Sequence, residues 1–178
     1  MKFHDTGLEG AHLIEMTPIE DARGGFARTY CENEFRDAGL ETRFVQGNMS
    51  YTHRANTIRG MHYQNAPHAE VKLFRCVRGA LYDVIVDLRP SSKTYLEWRG
   101  YHLTEDNNRQ IYVPEGFGHG FLSLSADTAV SYMVSAFYAP GAESGFRWND
   151  PSIGIEWPAP IDVISDKDQN WADFNPQT

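Results

Sequence analysis

The stretch Ala80-Leu81-Tyr82-Asp83-Val84-Ile85-Val86-Asp87-Leu88 decides the fold class. Apolar and polar residues partly alternate along it, and β-branched residues fill its centre. That combination suits a pleated strand. Outward from it, similar short runs lie at residues 44–50, 71–77, 110–113 and 129–135. Glycine, proline, asparagine and aspartate separate them, as turns require. Residues 32–38, closed by Gly39, read as a helix, and a second short helix fits after Pro158. Many short strands at short, regular spacing predict an all-β jelly roll with short peripheral helices. No repeat, low-complexity tract or linker divides the 178 residues, so residues 1–178 are expected to form one domain.

Composition narrows the function. Hydrophobic residues make up 41% and aromatics 13%, enough for a β-rich core and a stacking pocket. The net charge of −8 argues against a nucleic-acid groove or an anionic membrane surface as partner. A phosphate-bearing ligand would need locally placed arginine and lysine. The N-terminus has no charged start followed by an apolar run, and no segment is long and apolar enough to span a bilayer, so a cytoplasmic location is expected. Cys31 and Cys76 lack metal-like spacing and read as free thiols in a reducing compartment.

Two segments carry candidate chemistry. In Arg59-Gly60-Met61-His62-Tyr63-Gln64, strand alternation puts Gly60, His62 and Gln64 on one face. Taken alone, His62 reads first as a core histidine satisfied by hydrogen bonds and only second as a functional one. The second segment is Val113-Pro114-Glu115-Gly116-Phe117-Gly118-His119-Gly120-Phe121, a tight turn with His119 at the start of the next strand. Together they are similar to the paired metal motifs of the cupins, the double-stranded β-helix barrels. Those motifs offer two histidines one residue apart. Here Gln64 stands where the second histidine belongs. His68 and Glu70 lie close by without restoring the ligand spacing. No metal and no other cofactor is therefore expected.

An organic acid–base site inside the barrel is the stronger alternative. Removing a proton next to a ketone needs a base of near-neutral pKa, usually histidine. A carboxylate behind it fixes its orientation, and a cation stabilises the enolate oxygen. Inversion needs an acid on the opposite face. His62, Lys72, Tyr132 and Asp168 are the right residue types, although spacing alone does not make them converge.

Seven segments in order give the chain a family likeness. They are Asp21-Ala22-Arg23-Gly24-Gly25-Phe26, Phe44-Val45-Gln46-Gly47-Asn48-Met49-Ser50, Ile58 through Gln64, Asp83 through Arg89, Pro114 through Phe121, Trp148-Asn149-Asp150-Pro151 with Ile155-Glu156-Trp157-Pro158, and Ser165-Asp166-Lys167-Asp168. Over about residues 15–168 the chain resembles the dTDP-4-dehydrorhamnose 3,5-epimerases. The resemblance implies a homodimeric, metal-free cupin jelly roll that epimerises a nucleotide-diphosphate-linked 4-keto-6-deoxysugar. It implies His62 as base, Asp168 as its carboxylate, Tyr132 as acid and Lys72 beside the enolate oxygen. Arg23 and Arg59 match arginines around the diphosphate, where a fork of donors suits phosphate. Gln46, Asn48, His119, Glu143 and Lys167 match further ligand contacts, and Phe26 and Tyr138 match aromatic pocket positions.

One position departs from the pattern. Arg28 stands where the family commonly has a glutamate that contacts the thymine base; an arginine cannot accept a hydrogen bond from a base N–H, and as a ligand residue it would instead stack or donate to base carbonyls or phosphate. This leaves open an epimerase of one carbon, C3 or C5, on a CDP- or GDP-linked ketosugar. From other classes, a metal-dependent cupin oxygenase and a non-catalytic sugar-binding cupin also remain open.

Overall fold

The computed structural model describes residues 1–175. In chain order its strands are β1 (Lys2–Asp5), β2 (His12–Glu15), β3 (Ile19–Asp21), β4 (Gly24–Phe26), β5 (Gln46–Thr52), β6 (Ile58–Gln64) and β7 (Lys72–Arg78). There follow β8 (Ala80–Asp87), β9 (Trp98–Thr104), β10 (Arg109–Val113), β11 (Phe117–Ser123), β12 (Thr128–Val134) and β13 (Glu143–Gly145). Two short helices, α1 (Glu32–Asp37) and α2 (Asp166–Gln169), lie where the sequence places them. No helix among the described residues is long and apolar enough to cross a membrane.

Two antiparallel sheets form an all-β jelly roll. One has six strands in the order β1-β2-β10-β7-β12-β5, the other five in the order β13-β6-β11-β8-β9. Their facing sides bury Phe74, Ile85, Ile111, Phe121 and Val130 in one cluster. Burying each such side chain contributes roughly 1.5–3 kcal/mol, before chain entropy is counted. This cluster fills one end of the sandwich. The other end stays open as a cavity.

The partial alternation of β8 has a simple cause. Ile85 packs between the sheets, while Val84 and Val86 face a second cluster with Met61, Phe146 and Ile153. The chain beyond β13 covers the outer face of the five-stranded sheet, so both faces of β8 are buried and need apolar residues. On the outer face of the six-stranded sheet, α1 inserts Phe35 against Ile14, Leu73 and Tyr112.

Strict alternation fails at one place in β6, and the failure serves the cavity. His62 pairs with His119, but Arg59 pairs with Phe121, so three steps on β6 face two on β11. This bulge brings Arg59 and His62 to the same face, which regular pleating forbids. Gly60, expected to point with His62, sits instead at the kink with φ of +134°. A Cβ there would lie 2.6 Å from the Cα of Gly120. Only glycine fits that approach. His119 is the third residue of β11, two later than its expected place at the strand start.

Candidate active site

The open end of the sandwich is a cavity of about 640 Å³. His62 and Arg59 from β6 and His119 from β11 line it on the five-stranded side. Tyr132 from β12, Lys72 from β7, and Gln46 and Asn48 from β5 line it on the six-stranded side. Tyr138, Glu143, Lys167 and Asp168 complete its lining. His62 and Tyr132 therefore face one cavity from opposite sheets.

His62 Nε2 lies 2.5 Å from the Asp168 carboxylate, which is almost wholly buried. The other Asp168 oxygen accepts the Gly60 N–H at 3.2 Å, a bond that the bulge makes available. Ser165 caps α2 by accepting the Asp168 N–H at 3.1 Å and so fixes the position of the carboxylate's backbone. Burial alone would raise the Asp168 carboxyl. The hydrogen bond and charge of His62, with the Gly60 amide, outweigh burial and hold it below the usual aspartate range. An ionised Asp168 keeps the proton on Nε2 and leaves Nδ1 as the nitrogen with a free lone pair.

Tyr132 packs against Phe74, with ring centroids 5.9 Å apart. Burial pushes its hydroxyl up from the ordinary tyrosine value, Glu70 adds to this, and Arg59 partly offsets it. The phenol stays protonated at neutral pH. Arg59 spans the two sheets, donating to Thr52 Oγ1 at 3.0 Å and to the Tyr51 carbonyl at 2.9 Å. Glu143 accepts from Lys167 at 2.6 Å and from the Tyr138 hydroxyl at 3.2 Å. Burial raises the Glu143 carboxyl, but Lys167 and Tyr138 hold it lower. The cavity thus concentrates Arg59, Lys72 and Lys167 within a chain of net charge −8.

Three expected ligand residues lie elsewhere. Arg23, Phe26 and Arg28 do not line the cavity of their own chain. β3 and β4 pair only with each other, as a hairpin apart from both main sheets. Arg23 turns back onto Asp21, its backbone N–H donating to that carboxylate at 2.8 Å. Phe26 is 67% exposed. Arg28 pairs with Glu34 on α1 at 3.2 Å.

Sequence reasoning missed Asp83. It is fully buried and accepts from His119 Nε2 at 2.8 Å, which gives the cavity a second histidine–carboxylate pair. A charged residue in the middle of a largely apolar strand was the available signal, since buried carboxylates need partners. Gln64 holds no ligand position open, because its amide is committed to four protein partners. Among the described residues, no cluster of three or more histidine, cysteine, aspartate or glutamate side chains is arranged to hold a metal.

The sequence profile described as dTDP-4-dehydrorhamnose 3,5-epimerase matches residues 5–176. The chain belongs to this family. It is 46% identical to the dTDP-4-dehydrorhamnose 3,5-epimerase of Methanothermobacter thermautotrophicus, over 96% of this chain and 92% of that one. It is 43% identical to the Bacillus anthracis enzyme of that name, solved with TDP and pyrophosphate bound, with a TM-score of 0.94 over 97% and 99% of the two chains. A 3'-monoepimerase from Streptomyces bikiniensis, solved with dTDP-quinovose, is 35% identical with a TM-score of 0.88 over 96% and 86%. The jelly roll is the cupin-like one of these epimerases.

Proposed function

We propose that the chain epimerises a dTDP-linked 4-keto-6-deoxysugar at C3 and C5, with His62 as base and Tyr132 as acid. The placement of these two groups on facing sheets across one cavity carries the reading. His62 takes the proton next to the C4 ketone through Nδ1, and the C–H electron pair moves onto the ketone oxygen as an enolate. Asp168 stabilises the imidazolium so formed. Lys72 balances the enolate charge where it develops. Tyr132 then returns a proton from the opposite face, so that the ketone reforms with inverted configuration. Arg59 and Lys167 supply donors for the diphosphate, and His119 lines the same cavity. Tyr138 offers an aromatic face, and Gln46 and Asn48 offer amides along the same cavity.

Deuterium uptake from heavy water by dTDP-4-keto-6-deoxyglucose tests the reading. Uptake at both C3 and C5, seen by NMR and mass, is the expected result. Uptake at one carbon would replace it with a monoepimerase. No uptake from the dTDP sugar, but uptake from its CDP or GDP counterpart, would overturn the choice of nucleotide.

The chain also works as a homodimer in this reading. The hairpin β3–β4 exposes Ile19 and Phe26, and β5, at one edge of its sheet, exposes Met49 and Tyr51. Exposed apolar residues on a sheet edge and a detached hairpin suit burial against a second copy. A two-fold contact there explains why Arg23 and Phe26 lie outside their own cavity, since they would serve the partner's. Light scattering during gel filtration should give the mass of two chains, and Phe26→Asp should shift it to one. A monomeric parent protein would sink the dimer.

A further inference from the structure

Glu70 was left without a role by the metal motif, and the mechanism above does not use it. Its side chain lines the cavity at 13% exposure, and its Oε1 lies 3.2 Å from Lys72 Nζ, itself 14% exposed. Glu70 lies two residues ahead of Lys72, which opens β7, and the ion pair brings their side chains together. The second carboxylate oxygen accepts from Gln64 Nε2 at 3.1 Å.

Gln64 is held in turn. Its Nε2 also faces the carbonyls of His68 at 3.0 Å and Phe137 at 3.5 Å, and its Oε1 accepts the Ala139 N–H at 2.9 Å. Three acceptors on one end and a donor on the other fix the orientation of the amide. A glutamate would donate nothing to the three acceptors. Where a metal-binding cupin has a ligand, this chain needs an amide to hold Glu70.

We propose that Glu70, gripped by Gln64, is the positioning residue for Lys72, aiming its ammonium at the place where the enolate oxygen forms. This rests on the epimerase reading above. A lysine is a point charge on a flexible stem that loses much rotamer freedom when ordered. Glu70 removes that freedom before substrate binds. Because the pair is mostly shielded from water, the carboxylate acts on Lys72 more strongly than a surface partner would.

Glu70→Gln and Glu70→Asp test the proposal, through kcat, KM and the pH–rate profile on dTDP-4-keto-6-deoxyglucose. Glu70, just ahead of β7, and Arg59 from β6 act on the Tyr132 hydroxyl; the other charged and titratable groups lining the cavity are Lys72, His62, Tyr63, His119, Tyr138, Glu143, Lys167 and Asp168. Glu70→Gln should lower kcat about ten- to a hundredfold, the scale of a mispositioned group. KM should stay within about threefold. The basic limb of the profile should move to lower pH, because a negative charge that keeps the Tyr132 proton on is gone. Glu70→Asp keeps the charge but draws it back from Lys72. It should lower kcat several-fold and leave the basic limb in place, and it serves alone if the glutamine variant does not fold. Parental kcat in either variant overturns the proposal, and so does one shared pH profile for the two. An inactive parent enzyme would instead overturn the epimerase reading itself.

Discussion

His62→Ala should abolish deuterium uptake at the sugar carbons and lower kcat by at least about a thousandfold. A positioned general base contributes roughly 10²–10⁴-fold, and this one is backed by a buried carboxylate. The Asp168 oxygen 2.5 Å from Nε2 holds one tautomer, so the lone pair on Nδ1 is present before substrate arrives. The rival base is His119, which sits directly across the strand pair from His62. It too has a carboxylate partner, Asp83 at 2.8 Å. The two histidines differ in access. His62 keeps 29% of its side chain open and His119 only 7%. His62 can therefore reach a substrate carbon, whereas His119 is held back in the wall by Asp83. Uptake that survives in His62→Ala and disappears in His119→Ala would reverse this assignment. The variant should fold, because β6 keeps its ladder and Asp168 keeps the Gly60 N–H.

The fold was legible wherever local pattern and tertiary role agreed. The runs at 71–77, 81–88 and 129–135 became β7, β8 and β12 within a residue of their expected bounds. Their β-branched residues pack on a buried pleat, and Gly79 marks the turn between the first two. β6 was legible as a strand but not in its face pattern. The bulge at Gly60 follows from its close approach to Gly120, a contact between strands that pair across more than fifty residues of chain. No period read along one strand reveals such a contact.

The cavity set divides in the same way. His62, Lys72, Tyr132 and Asp168 were named from their chemistry, and the structure gathers them although they come from four elements. The placement of Arg23, Phe26 and Arg28 was not legible. A likeness to a family marks a position as facing ligand without saying whose cavity it faces. Asp83 was passed over because partial alternation makes a polar residue in its strand read as solvent-facing, and a buried carboxylate can be recognised only once its partner His119 is in view. Glu70 was noticed and set aside because it was weighed as a metal ligand. Its neighbours, Lys72 and Gln64, show a different use.

Tyr132→Phe should separate the two halves of the reaction. Removing one hydroxyl changes neither the aromatic packing on Phe74 nor the strand ladder of β12 with β5 and β7. Substrate should bind nearly as before, with KM within about threefold. Proton removal belongs to His62 on the other sheet, so the carbon that exchanges first should still take up deuterium, now returned by His62 to the face it left. Inversion should fall by about 10²–10⁴-fold, the range for losing a positioned acid. Fast uptake with retained configuration is thus the expected signature, read by NMR on recovered sugar nucleotide. Equal loss of uptake and inversion would place Tyr132 in substrate binding or enolate stabilisation, and the acid would have to be sought among the other donors of the six-stranded side, of which Lys72 is the nearest in chemistry.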